Sequence, residues 1–226
     1  MKRTTTILSI AAVIALGTLV SAAQAPEATP NSRSGESKAD APSKQVLKRS
    51  GDGTLEFPEI DGWVKGTLVK YPQKELGYGL NYDAERGNRV SIYVYNGGRK
   101  DIGKSLEGVV KDEIERAKAE IDMVAEMGAY TDVKVIKDER TMLGGKAGKI
   151  ETLRKILSFK SRGVELHSEI IIFPFEGNFV KLRATRPVSL GTTGEEAVAR
   201  LMTEIEKFFL MYMDISDATK TASVFH

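Results

Sequence analysis

The sequence predicts an α+β domain: a mainly antiparallel sheet of about seven strands packed with two long helices, in the order βββ-α-ββββ-α. Three observations lead there. Segments rich in β-branched and aromatic residues recur between turn signals, as in Arg89–Tyr95 (RVSIYVY). Two stretches carry apolar residues at helical spacing. Between those stretches the chain alternates apolar and polar residues through a pair of strands joined by a short turn.

The folded part is expected to begin near Gly51. Trp63–Lys70, Tyr78–Tyr82 and Arg89–Tyr95 read as a three-strand meander, punctuated by Tyr71-Pro72 and by the Asp83-to-Asn88 segment. Leu106, Val110, Ile114, Ala117, Ile121 and Val124 then fall on one helical stripe, with Ser105 as the expected N-cap and Gly128 as the stop. Glu107/Lys111, Asp112/Arg116 and Lys118/Asp122 stand four residues apart on the wet side. Strands resume at Asp132–Met142 and Ala147–Phe159 around the Gly144-Gly145-Lys146 turn. In the next hairpin Val164, Leu166, Ser168, Ile170 and Ile172 alternate with Glu165, His167, Glu169 and Ile171, and Val180, Leu182 and Ala184 alternate with Lys181, Arg183 and Thr185. Taking Pro174–Asn178 as the turn pairs Phe173 with Phe179 and Glu169 with Arg183. That register puts apolar side chains on one face and charges on the other. Thr192-Thr193-Gly194-Glu195 has the capping-box pattern ahead of a last helix whose stripe is Val198, Leu201, Ile205, Phe208 and Tyr212.

Phe57-Pro58 followed by Trp63, the Gly77-Tyr78-Gly79 strand before RVSIYVY, and Leu143-Gly144-Gly145-Lys146-Ala147 after the long helix resemble features of the PsbP/DcrB-like fold family. The resemblance covers roughly residues 55–213. It implies a noncatalytic binding or assembly factor attached to a larger complex. No photosystem-specific motif accompanies it, and fold does not imply function.

The N-terminus has the order of a secretory signal peptide: Lys2 and Arg3, an apolar run from Ile7 to Val20, then small residues, with cleavage expected after Ala23. The apolar run is shorter than the roughly 20 residues a bilayer span needs. The expected organisation is therefore a signal peptide over 1–23, a disordered linker over 24–50, one domain over 51–213 and a flexible tail over 214–226. Loss of Lys2 and Arg3 takes 33 basic residues to 31, equal to the 31 acidic ones. A neutral chain lacks the basic surplus that nucleic-acid binding requires. With no cysteine, disulfides, thiolate chemistry, cysteine-ligated metals and cysteine lipidation are excluded. The expected location is the bacterial periplasm or cell exterior, with no stable membrane insertion after cleavage.

Catalytic constellations are not evident. The chain has two histidines, His167 and His226, too few for a histidine metal centre. No G-x-S-x-G elbow accompanies them for a hydrolase triad. Gly144–Lys149 lacks the Ser or Thr that a phosphate loop carries after its lysine. The acidic pairs Asp52/Glu56, Asp83/Glu85 and Asp214/Asp217 do not have calcium-loop spacing. No catalytic, cofactor-binding or metal-ligating residue is assigned. What remains is a mixed-charge patch of Glu165, His167, Glu169, Lys181 and Arg183, expected on one face of the hairpin as a contact for an envelope or extracellular protein partner. The expectation is an exported, noncatalytic binding or assembly module; the alternative is a carrier of a small ligand or lipid with a pocket between helix and sheet.

Overall fold

The computed structural model describes residues 53–103, 106–143 and 150–222. The chain divides into two compact units, 1–56 and 57–226, and the architecture below belongs to the second. The expected signal peptide and linker, Ser105, the Gly144–Lys149 turn and His226 lie outside the described residues.

Eight strands form one antiparallel sheet: β1 (Val64–Lys65), β2 (Val69–Lys70), β3 (Tyr78–Asp83), β4 (Arg89–Tyr95), β5 (Thr131–Leu143), β6 (Ile150–Ser161), β7 (Val164–Phe175) and β8 (Asn178–Pro187). The spatial order is β1-β3-β4-β8-β7-β6-β5, with β2 also paired to β3. Helix α1 (Val109–Glu126) stands between β4 and β5, and α2 (Gly191–Ala222) follows β8. The expected first strand is thus two short ones along the same edge. They are separated at Gly66, whose N–H donates to Asn81 O at 2.7 Å.

Each face of the sheet takes one helix. Val110, Ile114, Ala117 and Ile121 of α1 pack on Leu153, Leu157, Phe159, Leu166, Ile170, Ile172 and Phe179. Burial of each such side chain contributes roughly 1.5–3 kcal/mol. On the opposite face Phe209 of α2 sits edge-on to Phe173 and Phe175 at 5.2 and 5.3 Å. The alternation in β7 breaks into a run, Ile170-Ile171-Ile172-Phe173, buried on both sides for this reason.

Helix boundaries differ from expectation at three ends. α1 begins at Val109 after Gly108 (φ 64), later than the apolar stripe suggests. Its C-terminus is as expected, with Gly128 at φ 79 donating to Ala125 O at 2.8 Å. α2 starts at Gly191, directly after a short 3-10 turn over Val188–Leu190, so Thr192 lies inside the helix. Glu195 is then free to face Arg186 across the helix–sheet gap instead of capping. α2 runs on to Ala222, past Asp214, because no glycine or proline interrupts that stretch.

The β7–β8 register also differs. Phe173 pairs with Val180, Ile170 with Arg183, Ile171 with Leu182 and Glu169 with Ala184. The turn is the two residues Glu176-Gly177, both at positive φ (48° and 72°), the geometry of a type I′ hairpin. Pro174 does not end the strand. The pairing of β6 with β7 stops at Leu153–Ile172, so Pro174 has no ladder bond to lose on that side while it pairs with Phe179 on the other. A one-residue change of register moves a strand's side chains to the other face. Glu165, His167 and Glu169 therefore lie on the α2 side of the sheet, and Lys181 and Arg183 on the α1 side. The five do not form one patch.

Candidate functional site

Beside α2, the sheet face over β5, β6 and β7 holds a groove of about 580 Å³. Its apolar lining is Ile136 and Met142 from β5, Ile156 from β6, Ile171 from β7, and Val198 and Met202 from α2, interleaved with threonines and charged side chains. Ile136 reaches it through an irregularity in β5, where the pairing jumps between Val135 and Lys137. Two methionines give the lining an adaptable surface.

Two guanidinium groups line the groove. Arg154 is held from both sides: its Nε donates to Glu169 Oε1 at 2.5 Å and its Nη1 to Glu139 Oε1 at 2.8 Å. The hydrogen bond it donates to Glu169 and, after the opposing cost of burial, the neighbouring carboxylate charges raise its pKa. Glu139 is held below the usual carboxylate range, first by Lys137 and then by Arg154. Arg186 is held more loosely, with Nη2 at 3.3 Å from His167 Nδ1 and 3.4 Å from Glu195 Oε2. His167 and Arg186 face each other on β7 and β8. Thus two of the expected contact residues, His167 and Glu169, line the groove together.

Lys181 and Arg183 take part in polar packing on the other face. Lys181 lies 3.4 Å from Glu120 on α1 and 5.1 Å from the Tyr93 ring centre, and desolvation lowers its ammonium pKa. Arg116 bridges Glu113 and Glu120 along α1, in place of the expected Asp112 pairing, while Lys118–Asp122 forms as expected at 2.5 Å. The Tyr95 hydroxyl donates to Glu113, and burial, then the Glu113 charge, push that phenol far above its ordinary value. Arg183 Nε donates to Ser168 Oγ, which lies 3.1 Å from Thr185 Oγ1. The tyrosines of the first meander divide likewise: Tyr82 and Tyr95 are core, while Tyr71, Tyr78 and Tyr93 are half-buried.

Sequence reasoning missed Arg154, Arg186 and the apolar lining. Arg154 and Arg186 alternate correctly with their strands, but the groove depends on where α2 crosses the sheet, which no local pattern encodes. Among the described residues no group of three or more acidic or histidine side chains is placed to hold a metal ion. None of the described helices is long and apolar enough to cross a membrane.

No family model matches the chain. No curated protein matches it either. Among solved structures, the chain is similar to cyanobacterial PsbP (CyanoP) from Synechocystis at 14% identity and a TM-score of 0.41, over 62% of this chain and 78% of that one. It is also similar to PA94, a Pseudomonas aeruginosa protein of unknown function considered a candidate regulator, at 14% identity and a TM-score of 0.34, over 70% and 93%. The chain itself has an α+β fold built on a mainly antiparallel sheet.

Proposed function

We propose that this chain is an exported, noncatalytic binding module that holds a small amphipathic ligand in the groove between α2 and the sheet. The observation that carries this reading is the groove itself. At about 580 Å³ it falls within the roughly 300–1,000 Å³ of small-molecule sites, and its lining mixes aliphatic side chains with polar and charged ones. Arg154 is already paired with Glu139 and Glu169, so its charge is answered within the protein. The docking reading rested on five charges acting together, and the register divides them between faces. The helix–sheet carrier therefore takes precedence over a protein-docking patch.

The test is binding of the neutral apolar fluorophore N-phenyl-1-naphthylamine to the full chain, alongside native mass spectrometry of protein purified from its own host. The expected result is saturable fluorescence enhancement that Ala199→Trp, an exposed lining position whose new ring fills the groove, abolishes without lowering the thermal midpoint. A bare mass together with no saturable fluorophore binding would overturn the reading.

A further inference from the structure

We propose that the groove selects an anionic single-chain amphiphile, an aliphatic carboxylate whose head group pairs with Arg186 while its chain lies along α2. This rests on the groove being the binding element.

The two guanidinium groups in the groove are not equivalent. Arg154 has a carboxylate at 2.5 Å and another at 2.8 Å, which leaves it little capacity for a further anion. Arg186 is 15% exposed, and its one carboxylate contact is Glu195 at 3.4 Å, a side chain 67% exposed. With its carboxylate largely in water and 3.4 Å away, that pair is readily exchanged. A planar guanidinium is best satisfied by two parallel bonds to one carboxylate, and Glu195 does not supply them. His167, facing Arg186, adds a second nitrogen-bearing side chain at the same end.

Position supplies the rest of the argument. Glu195 lies in the first turns of α2, so the Arg186 end of the groove also lies toward the positive pole of a long helix. From there the lining passes along the helix through Val198 and Ala199 to Met202, and along the sheet through Ile156 and Ile171 to Met142 and Leu143. A cation at one end and aliphatic side chains leading away from it, beside the internally paired Arg154 and Glu169, match a charged head with an aliphatic tail. The acidic groups at the groove are Glu169, Glu195 and Glu206. Glu169 is engaged by Arg154, and Glu195 is the group the ligand carboxylate would displace.

The experiment is displacement of N-phenyl-1-naphthylamine from the full chain by dodecanoate and by dodecanol, which share a chain and differ in head group. Dodecanoate is expected to displace at the lower concentration. Arg186→Gln should weaken dodecanoate by about tenfold or more, the loss of hydrogen bonds to a charged group, and shift dodecanol by clearly less. Glu195→Gln should tighten dodecanoate, because the competing carboxylate is gone. Equal displacement by both compounds, or an Arg186→Gln variant that binds dodecanoate as the parent does, overturns the head-group inference while leaving the groove as a binding element. Failure of the fluorophore to bind at all removes both.

Discussion

Lys181 Nζ on β8 lies 3.4 Å from Glu120 Oε2 on α1, under the aromatic rings of Tyr93 and Tyr95 at 5.1 and 5.5 Å. The two side chains are 13% and 15% exposed, so this ion pair ties helix to sheet largely out of water. Such a pair stabilises little relative to apolar groups of the same size, whereas losing one member strands the other. Glu120→Gln is therefore expected to destabilise the domain by about 1–3 kcal/mol, because the buried Lys181 loses the carboxylate 3.4 Å away. Lys181→Met should cost less, since a flexible apolar chain can occupy the space beside the tyrosines. Thermal unfolding of the two variants decides the matter, and a larger loss in Lys181→Met would contradict the account.

Alkaline stability follows from buried tyrosines on the two faces of the sheet. Burial, and secondarily the nearby carboxylates Glu59 and Glu113, raise Tyr82 and Tyr95 above the ordinary value of 10.0. A group raised on folding holds its proton more tightly in the native state. Its contribution is complete below the unfolded value and is lost as pH rises past 10 toward the folded value. Lys181 acts in the opposite sense: with its value lowered below 10.5, its burial cost diminishes between the folded value and 10.5. The expected result is a thermal midpoint that holds to about pH 9 and falls beyond about pH 10. In a tyrosinate absorbance titration, Tyr82 and Tyr95 should ionise only with unfolding. Ionisation of all seven tyrosines in one reversible step near pH 10 would show that the two are not held as described.

Glycine positions separate strain from collision. Gly77 has φ 60, and an added Cβ there would stand 1.9 Å from Val94 O. Gly97 has almost the same φ, 61, with nothing within 4 Å of its added Cβ. Gly97→Ala is expected to cost about 1–2 kcal/mol, the penalty of a left-handed backbone alone. Gly77→Ala should cost clearly more, because β4 must also move. Denaturant unfolding midpoints provide the comparison, and equal losses would mean that the β3–β4 edge yields freely.

Much of this architecture can be read from local chemistry. The α1 stripe, Gly128 and RVSIYVY each carry a complete signal within a few residues. The hairpin register is harder to read. Pro174 is a strong turn signal, yet it sits in β7 because β6 no longer pairs there, a fact set by residues twenty positions away. The same error decides the candidate site. With the turn placed at Pro174, Lys181 and Arg183 join His167 on one face; with the turn at Glu176-Gly177, Arg186 takes that place. The groove needs one further fact, the path of α2 over the sheet, which depends on Phe209 docking against Phe173 and Phe175.

That register can be tested directly, since the chain has no cysteine to interfere. Ser168 Oγ and Thr185 Oγ1 are 3.1 Å apart on directly opposed residues of β7 and β8, and the Cα atoms of an opposed antiparallel pair, about 4.5–5.5 Å apart, fall within the roughly 4.4–6.8 Å that a disulfide spans. Ser168→Cys with Thr185→Cys should oxidise to an intramolecular bond and lose reactivity toward a thiol reagent. Ser168→Cys with Ala184→Cys places the two sulfurs on opposite faces and should stay reduced. Pairing Phe173 with Phe179 would instead oppose Ser168 to Ala184, and the two double variants would exchange behaviour. Because Lys181, Arg183 and Arg186 move together with that register, the outcome also decides which arginine lines the groove with His167.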